Sequence, residues 1–151
     1  MLNEENPRCG TYRHILDVNY YLNKLIGLLL ERGPVHDDSK LDSPEAELFE
    51  KMTPLLKTTK FNSPEYNEQL KELGPALEHH YANNRHHPQH FNNGVQGMNL
   101  IDLLEMLVDW KASSKRQFNG NLIKSIRENQ NRFNYSDDLK QILENTAELL
   151  E

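Results

Sequence analysis

The segment from Asn99 to about Arg116 most constrains the fold, because its apolar residues cover nearly the whole circumference of a helix. At roughly 100° per residue, only a sector about 60° wide is polar, and it holds Asp102, Glu105 and Asp109. A surface helix exposes a broad polar face, so this pattern indicates a helix that is mostly buried by its neighbours. Buried carboxylates need a metal or a cationic partner to offset their desolvation; a thin solvent-facing stripe is the alternative.

Five further segments have helical periodicity, and their boundaries carry start and stop signals. Ser-Pro-Glu occurs twice, with Ser43 and Ser63 as predicted N-caps and proline at the first helical position. Gly33-Pro34 is expected to stop the first helix, and Gly74-Pro75 to kink or split the third. The predicted helices span residues 11–32, 44–57, 64–83, 121–133 and 137–149. The sequence therefore predicts an all-α fold, a compact single-domain helical bundle covering residues 1–151.

Charge and cysteine usage exclude several classes of partner. The net charge is -6 at pH 7, and the 17 basic residues form no stripe that could follow a nucleic-acid duplex. The single cysteine, Cys9, excludes an internal disulfide and a zinc site built from thiolates alone. No signal peptide opens the chain, and no apolar run reaches the roughly 20 residues of a membrane span. We therefore expect a soluble cytoplasmic protein with neither duplex nucleic acid nor a membrane as partner.

The histidines are concentrated in one stretch, where five of the seven lie between residues 78 and 90. Histidine is the commonest metal ligand and titrates near neutral pH, so the cluster indicates coordination chemistry or proton transfer. A solvated surface cluster is the alternative, since histidine-rich tracts are only a compositional signal. The stretch covers the end of the third predicted helix and enters a loop, residues 84–97, of a length that is usually functional or disordered.

The other two histidines precede this stretch. His14 lies at the edge of the apolar stripe of the first helix, so we expect it to point inward or into a cleft. A lone histidine in that position is more often a hydrogen-bonded core residue than a ligand. His36 is followed by Asp37, in a segment too polar to be ordinary core. The candidates therefore occur in the order His, His-Asp, histidine cluster and a late Asp109.

This order of residues in a helical chain resembles the HD superfamily of metal-dependent phosphohydrolases. Residues 14–112 are also similar to a small, mostly uncharacterised branch of HD-like proteins found in bacteria and their phages. The motifs that carry this likeness are His36-Asp37-x-Ser39-Lys40, His79-His80 followed by Asn84-x-His86-His87-Pro88, and Glu105-Met106-x-x-Asp109-Trp110. The resemblance implies the helical HD fold and hydrolysis of a nucleotide or related small phosphate ester or anhydride by a metal-activated water.

The resemblance also implies roles for individual residues. A divalent metal, as one or two ions of Mn, Co, Ni, Fe, Zn or Mg, would be bound by His14, His36, Asp37, His80 and Asp109. His80 would hold a second ion bridged by Asp37, with His79 or His86 as alternatives. Lys40, Glu105 and Arg85 would act in catalysis, the two cations by neutralising phosphate charge and Glu105 by orienting an imidazole or carrying a proton. The substrate would be bound by Lys40, His79, Asn84, Arg85, His86 and His87.

Two departures from the HD patterns bear on these roles. HD nucleoside-monophosphate hydrolases commonly have glutamate where this chain has Lys40, so that general-acid assignment does not transfer. Lysine instead resembles the His-Asp-x-x-Lys form of HD phosphodiesterases, in which it contacts phosphate. The loop after the paired histidines also lacks the Gly-Tyr-Pro of two-metal HD enzymes.

Two other functions stay open at the level of the sequence. The same His and Asp set with two irons is typical of di-iron HD oxygenases, and a metal-containing module that binds a nucleotide or a protein is the non-catalytic alternative. A homodimer is common in this fold, although no heptad or exposed apolar strip argues for one. The sequence does not identify the substrate, the metal, the number of ions, the general acid or base, or which of the clustered histidines ligate.

Overall fold

The chain is almost entirely helical in the computed structural model, which describes residues 7–59, 63–116 and 120–150. These residues form six α-helices: α1 (Pro7–Val35), α2 (Glu45–Thr58), α3 (Pro64–Asn83), α4 (Leu100–Ser114), α5 (Leu122–Phe133) and α6 (Asp137–Ala147). Short 3₁₀ segments lie at Asp38–Leu41, Pro88–His90, Gly94–Gly97 and Glu148–Leu150. The described residues contain no strand, so the prediction of an all-α fold is confirmed.

The helices belong to two compact units, Met1–Val35 and His36–Glu151. In the first unit, α1 has no buried residue. The predicted stop at Gly33-Pro34 is wrong, because α1 includes both residues and ends at Val35. Proline lacks only its own N–H donor, so a helix can continue briefly beyond it. No helix in the described residues is long and apolar enough to cross a membrane.

In the second unit, α2 and α3 pack against each other around a small core of Met52, Leu73 and Ala76. α3 starts as predicted, because the Ser63 hydroxyl accepts a hydrogen bond from the backbone N–H of Tyr66 at 3.2 Å. The start of α2 differs, since Pro44 is its N-cap and Ser43 lies outside the helix. Gly74-Pro75 does not split α3, which is one helix that continues to Asn83, so of the two predicted outcomes only a kink stays a prediction.

The larger core lies among α4, α5 and α6 and contains Met106, Leu107, Leu122, Ile126, Tyr135, Leu143 and Ala147. Fully burying a Leu or Met side chain contributes about 1.5–3 kcal/mol, so this cluster stabilises the C-terminal half of the unit. α4 begins with a reciprocal cap between Asn99 and Asp102, in which each side chain accepts from the other residue's backbone N–H. Leu100 and Val108 are exposed, so α4 is not buried on all sides.

Two irregular segments of the second unit carry the polar residues singled out by the sequence. One is the turn of residues 36–41 before α2, and the other is the loop of residues 84–97 between α3 and α4. The loop is irregular as predicted, apart from its two 3₁₀ segments. These segments, the start of α2, the end of α3 and the middle of α4 supply the side chains of the candidate site.

Candidate metal centre

Four side chains from the turn, the end of α3 and the loop converge on one point: Asp37, His80, His86 and His87. Asp37 Oδ1 lies 3.2 Å from His80 Nε2 and 3.5 Å from His86 Nε2. Nε2 of His87 lies 2.9 Å from Nε2 of His80. One potential ligand atom from each residue lies within 4.8 Å of the others. Ligand atoms about 2 Å from a common ion are up to about 4 Å apart, so this spacing is close to that of a metal site.

Asp37 is presented to the histidines by an uncommon backbone conformation. Its φ of 62° and ψ of 13° lie in the left-handed region, which costs about 1–2 kcal/mol for a residue with a Cβ atom. The chain then turns back, and the backbone N–H of Lys40 donates to the Asp37 carbonyl at 2.9 Å. The Lys40 ammonium donates to Asp37 Oδ2 at 2.6 Å. Asp37 therefore faces Lys40 with one carboxylate oxygen and both His80 and His86 with the other.

Glu45, in the first turn of α2, is fully buried behind two of the histidines. Its Oε2 accepts from Nδ1 of His80 at 2.8 Å, and its Oε1 accepts from Nδ1 of His79 at 2.7 Å. Burial raises the pKa of Glu45, but hydrogen bonds from His79, Ser39 and His80 outweigh it and hold that pKa below its usual value. A carboxylate can only accept, so Nδ1 of His80 carries a proton, and Nε2, which faces Asp37, is the nitrogen of His80 that could bind a metal.

Asn84 joins the start of the loop to the turn that contains Asp37. Its buried amide donates to Ser39 Oγ at 2.7 Å and to the His80 carbonyl at 2.9 Å. The sequence predicts that Asn84 binds substrate, but in the structure these donors are used within the protein. Asn84 therefore fixes the position of the loop relative to the His-Asp turn.

A second group of possible ligands, His36, His86 and Glu105, lies on the other side of His86. Glu105 Oε1 accepts from Nδ1 of His36 at 3.0 Å and lies 3.2 Å from Nδ1 of His86. Nε2 of His36 lies 3.7 Å from Asp109 Oδ1 and 3.6 Å from Asp37 Oδ2. Two of the three carboxylates in the acidic stripe of α4 thus face histidines, which supports the functional interpretation of that stripe over a solvent-facing one.

Burial and neighbouring charges shift the pKa values of His36, His86 and His87 in different directions. The carboxylate of Asp109 raises the pKa of His36 to about 9, and Glu105 adds to this effect, against the opposing effect of burial. Burial lowers the pKa of His86, and the charge on His36 lowers it further. Burial and the adjacent imidazoles lower the pKa of His87 to about 3. Near neutral pH, His86 and His87 are therefore neutral, which is the form of imidazole that binds metals.

Three buried polar atoms at this site make no hydrogen bond within the part of the chain that the structure describes: Asp37 Oδ1 and both nitrogens of His86. Leaving a buried polar group unpaired costs about 1–3 kcal/mol, so such atoms call for an explanation. Burial raises the pKa of Asp37, but His80 and Lys40 hold it well below its usual range, so the side chain is a carboxylate. An anionic oxygen and neutral imidazole nitrogens are ligands that suit first-row divalent metals. The residues present therefore fit a divalent cation.

Most of the predicted site residues lie together in the structure: His36, Asp37, His80, His86, His87, Glu105 and Asp109. Among the possible ligands are His87, which the sequence assigns to substrate binding, and His86, which the sequence assigns to substrate binding or, as an alternative, to a second metal. His79 contacts Glu45 and belongs to neither group of possible ligands in the described residues. His14 lies on α1 in the other unit and its side chain is exposed, so its inward orientation is not confirmed and its role as a ligand stays a prediction.

Arg85 has a protein partner in place of the predicted phosphate. Its Nε donates to Asp102 Oδ1 at 3.1 Å, and its NH2 group donates to Asp102 Oδ2 at 2.9 Å. The guanidinium also lies 4.9 Å from the centroid of the Phe91 ring. Asp102 is fully buried, so Arg85 neutralises a buried charge at the start of α4. This geometry gives Arg85 a structural role and offers no support for the predicted catalytic one.

Glu45 is the main site residue that the sequence analysis missed. As the third residue of Ser43-Pro44-Glu45, it matches the acidic residue that commonly complements a helix dipole. That signal is the same whether the side chain points to solvent or to the protein interior. Only the position of the histidines of α3 beside α2 distinguishes the two cases, and this position is a tertiary feature.

The fold and the site together define an all-helical protein with a candidate centre of three imidazoles and one carboxylate. The chain matches a family of unknown function, DUF5662, over residues 3–149, and it belongs to that family. No curated protein and no solved structure matches the chain. The resemblance to the HD superfamily therefore stays a prediction.

Proposed function

We propose that this protein is a metal-dependent phosphohydrolase that acts on a small phosphate ester or anhydride, such as a nucleotide. One observation carries the proposal: one carboxylate oxygen of Asp37 and one nitrogen from each of His80, His86 and His87 lie within 4.8 Å of one another. The orientation of His80 adds support, because buried Glu45 binds its Nδ1 and leaves Nε2 facing Asp37. Ligand atoms held in this way need little rearrangement to bind an ion.

The ligand set favours a metal that accepts six ligands. Four protein ligands would complete a tetrahedral zinc site, whereas they leave two positions for water and substrate in octahedral coordination. Manganese, iron, cobalt and nickel accept both imidazole and carboxylate in that geometry. When bound, such an ion lowers the pKa of a coordinated water and polarises a phosphoryl oxygen.

The protein supplies charge and proton-handling groups around the ligands. Glu105 and Asp109, on adjacent turns of α4, flank His36, so they are the candidates for holding or moving a proton. Lys40 places an ammonium group beside Asp37, where it can contact phosphate oxygens. These side chains face the same small region as the ligands, which is the arrangement that phosphate hydrolysis requires.

A groove beside Lys40 offers room for the rest of a small substrate. It has a volume of about 600 Å³ and is lined by Lys40, Leu41, Ala46, Phe49, Glu50, Thr53 and Pro54. This volume is in the range of roughly 300–1,000 Å³ that is usual for small-molecule sites. The apolar wall formed by Leu41 and Phe49 suits a flat organic group such as a nucleobase. Such metabolites agree with the cytoplasmic location that the sequence predicts.

The proposal is tested by metal analysis of protein purified without chelator, followed by a screen of phosphorylated metabolites with manganese, cobalt and nickel. We expect a divalent metal to copurify and phosphate to be released from at least one substrate. A bound metal without hydrolysis of any phosphorylated compound would favour the binding module. Iron together with dioxygen consumption would favour the oxygenase. In either case the hydrolase proposal fails.

A further inference from the structure

The contact between Lys40 and Asp37 bears on how many ions the centre binds. We propose that the site binds one divalent ion, on the Oδ1 side of Asp37, and that the Lys40 ammonium takes the place of a second ion on the Oδ2 side. This inference rests on the proposed function, because it concerns the ion content of the same site. In this inference Lys40 belongs to the metal centre, because its ammonium group occupies the position of a second ion in addition to contacting phosphate.

A carboxylate that bridges two metals needs one oxygen for each metal. In this chain Oδ2 of Asp37 already accepts a charge-assisted hydrogen bond from Lys40 at 2.6 Å, whereas Oδ1 makes no hydrogen bond within the described residues. Lys40 is also positioned by its backbone, which donates to the Asp37 carbonyl, and by the Phe49 ring, whose centroid lies 5.7 Å from Nζ. The ammonium group is thus fixed against Oδ2 from several directions.

Apart from Lys40, the side chains near Oδ2 of Asp37 are of the kinds that could bind a second metal ion. Nε2 of His36 lies 3.6 Å from Asp37 Oδ2 and 3.7 Å from Asp109 Oδ1. A metal ion binds histidine by displacing a ring proton, so His36 could add one imidazole to these two carboxylates, which are ligands for the same metals as the Oδ1 side. The charge and position of Lys40 therefore decide whether an ion enters there.

The other group of possible ligands does not provide an independent second position. It consists of His36, His86 and Glu105, so it shares His86 with the group around Asp37. Nε2 of His86 faces Asp37, and its Nδ1 faces Glu105. A neutral imidazole has only one ring nitrogen with a lone pair for a metal, and binding two ions would require the loss of its remaining N–H proton. With His86 committed to the Asp37 group, this second group retains two ligands.

A fixed ammonium can do part of what a second ion does in two-metal hydrolases. In two-metal hydrolases, the two ions stabilise the attacking and the leaving oxygens of the reaction. Here Lys40 would supply one of those positive charges as a permanent part of the chain. The centre then needs only a single ion from solution, and its charge is set partly by the sequence.

The test is the number of Mn²⁺ ions bound per chain, measured by equilibrium dialysis and elemental analysis, with electron paramagnetic resonance of the bound manganese. We expect one ion in the wild-type protein and in Lys40→Arg, which keeps the charge. We expect two ions in Lys40→Met, with the exchange-coupled spectrum of two neighbouring manganese ions. Lys71→Met is the matched control, because Lys71 pairs with Glu68 at 2.7 Å with the same i,i+3 spacing on the surface. It should bind one ion.

Two ions in the wild-type protein would overturn the inference and leave the proposed hydrolase intact. One ion in both the wild-type protein and Lys40→Met would also overturn it, because Lys40 would then not control the second position. The absence of bound metal from all four proteins would remove the proposed function and this inference together. The failure of the inference alone is thus distinguishable from the failure of the hydrolase proposal.

Discussion

Nδ1 of His80 lies 2.8 Å from Oε2 of Glu45, and both side chains are buried. The contact fixes the rotation of the imidazole and aims its Nε2 at Asp37, 3.2 Å away. Because Glu45 also binds His79, a single carboxylate orients two adjacent histidines at the end of α3. The geometry of the candidate centre thus depends on a residue that belongs to neither group of possible ligands.

Replacing Glu45 with Gln should weaken metal binding by about 10–100-fold, which is typical for the loss of a partner that orients a metal ligand. Glutamine keeps the size of the side chain but turns an N–H group toward one of the two protonated Nδ1 atoms. The affinity can be measured by competition with a fluorescent chelator. Glu47→Gln, at an exposed position in the same helical turn, is the control and should bind like the wild type. Equal affinities of the two variants would show that Glu45 does not orient the site.

Replacing Asp37 with Asn should abolish metal retention while the helical content stays unchanged. Asparagine tolerates the left-handed backbone at this position but is a much weaker ligand. Asp37→Ala should lose the metal as well and be destabilised further, by about 1 kcal/mol, because alanine disfavours that backbone conformation. Metal content after desalting and circular dichroism check both expectations. Asp38→Asn, at the exposed neighbouring position, should keep its metal. Full occupancy in Asp37→Asn would mean that the site is assigned to the wrong residues.

Replacing Arg85 with Met should lower the free energy of unfolding by about 1–3 kcal/mol, because the carboxylate of Asp102 would lose its charged partner. Urea denaturation measures the loss. Adding Asp102→Asn to this variant should recover part of the stability, since the buried carboxylate that has lost its guanidinium is then replaced by a neutral amide. If Arg85 instead binds phosphate, its replacement will raise KM for the substrate and leave the unfolding free energy unchanged.

Tyr135 should make the stability of the protein depend on pH in the alkaline range. Burial, with a smaller effect from Glu144, raises the pKa of Tyr135 from 10.0 to about 12. An acid whose pKa is higher in the folded state favours folding in its neutral form, so its contribution is complete below pH 10. That contribution is lost as the pH rises from about 10 to about 12.

The comparison of wild type with Tyr135→Phe isolates this effect. The phenol also donates a hydrogen bond to the Ile126 carbonyl at 2.5 Å, so the variant should be less stable by about 1–2 kcal/mol at neutral pH. The difference in unfolding free energy between the two proteins should shrink between pH 10 and 12 in chemical denaturation. A difference that stays constant across this range would contradict the raised pKa.

The helices were predictable because their signals are local. Ser63 caps α3 as its motif indicates, and Asn99 caps α4 at the start of the most apolar segment. The helix continues through Pro34, where a stop was predicted, and through Pro75, where a kink or a split was predicted, because proline weakens a helix locally but neighbouring turns can keep it continuous. Propensity therefore located the helices well and their ends less well.

The site residues were predictable where the type of side chain alone identifies a metal ligand. They were less predictable where the role of a side chain depends on which residue it contacts in the fold. His36, Asp37 and the histidine cluster stand out by type and spacing, and the structure brings most of them together. An arginine or glutamate has no such specificity in sequence. The sequence alone therefore indicates neither the pairing of Arg85 with Asp102 nor the contact of Glu45 with His80, and the contact of Arg85 with phosphate stays a prediction.

The pairing of Arg85 with Asp102 affects the conformational entropy that the protein would lose when it binds an ion. Asp102 caps α4 and also binds Arg85, the residue directly before His86. The loop that carries the possible ligands His86 and His87 is therefore held in place at the start of α4. Asn84 fastens the same chain to the turn of Asp37. In zinc fingers, by contrast, the chain is unfolded without the ion, and the free energy of metal binding drives folding. Here uptake of an ion would cost little conformational entropy, so the affinity of the site would report the chemistry of its ligands.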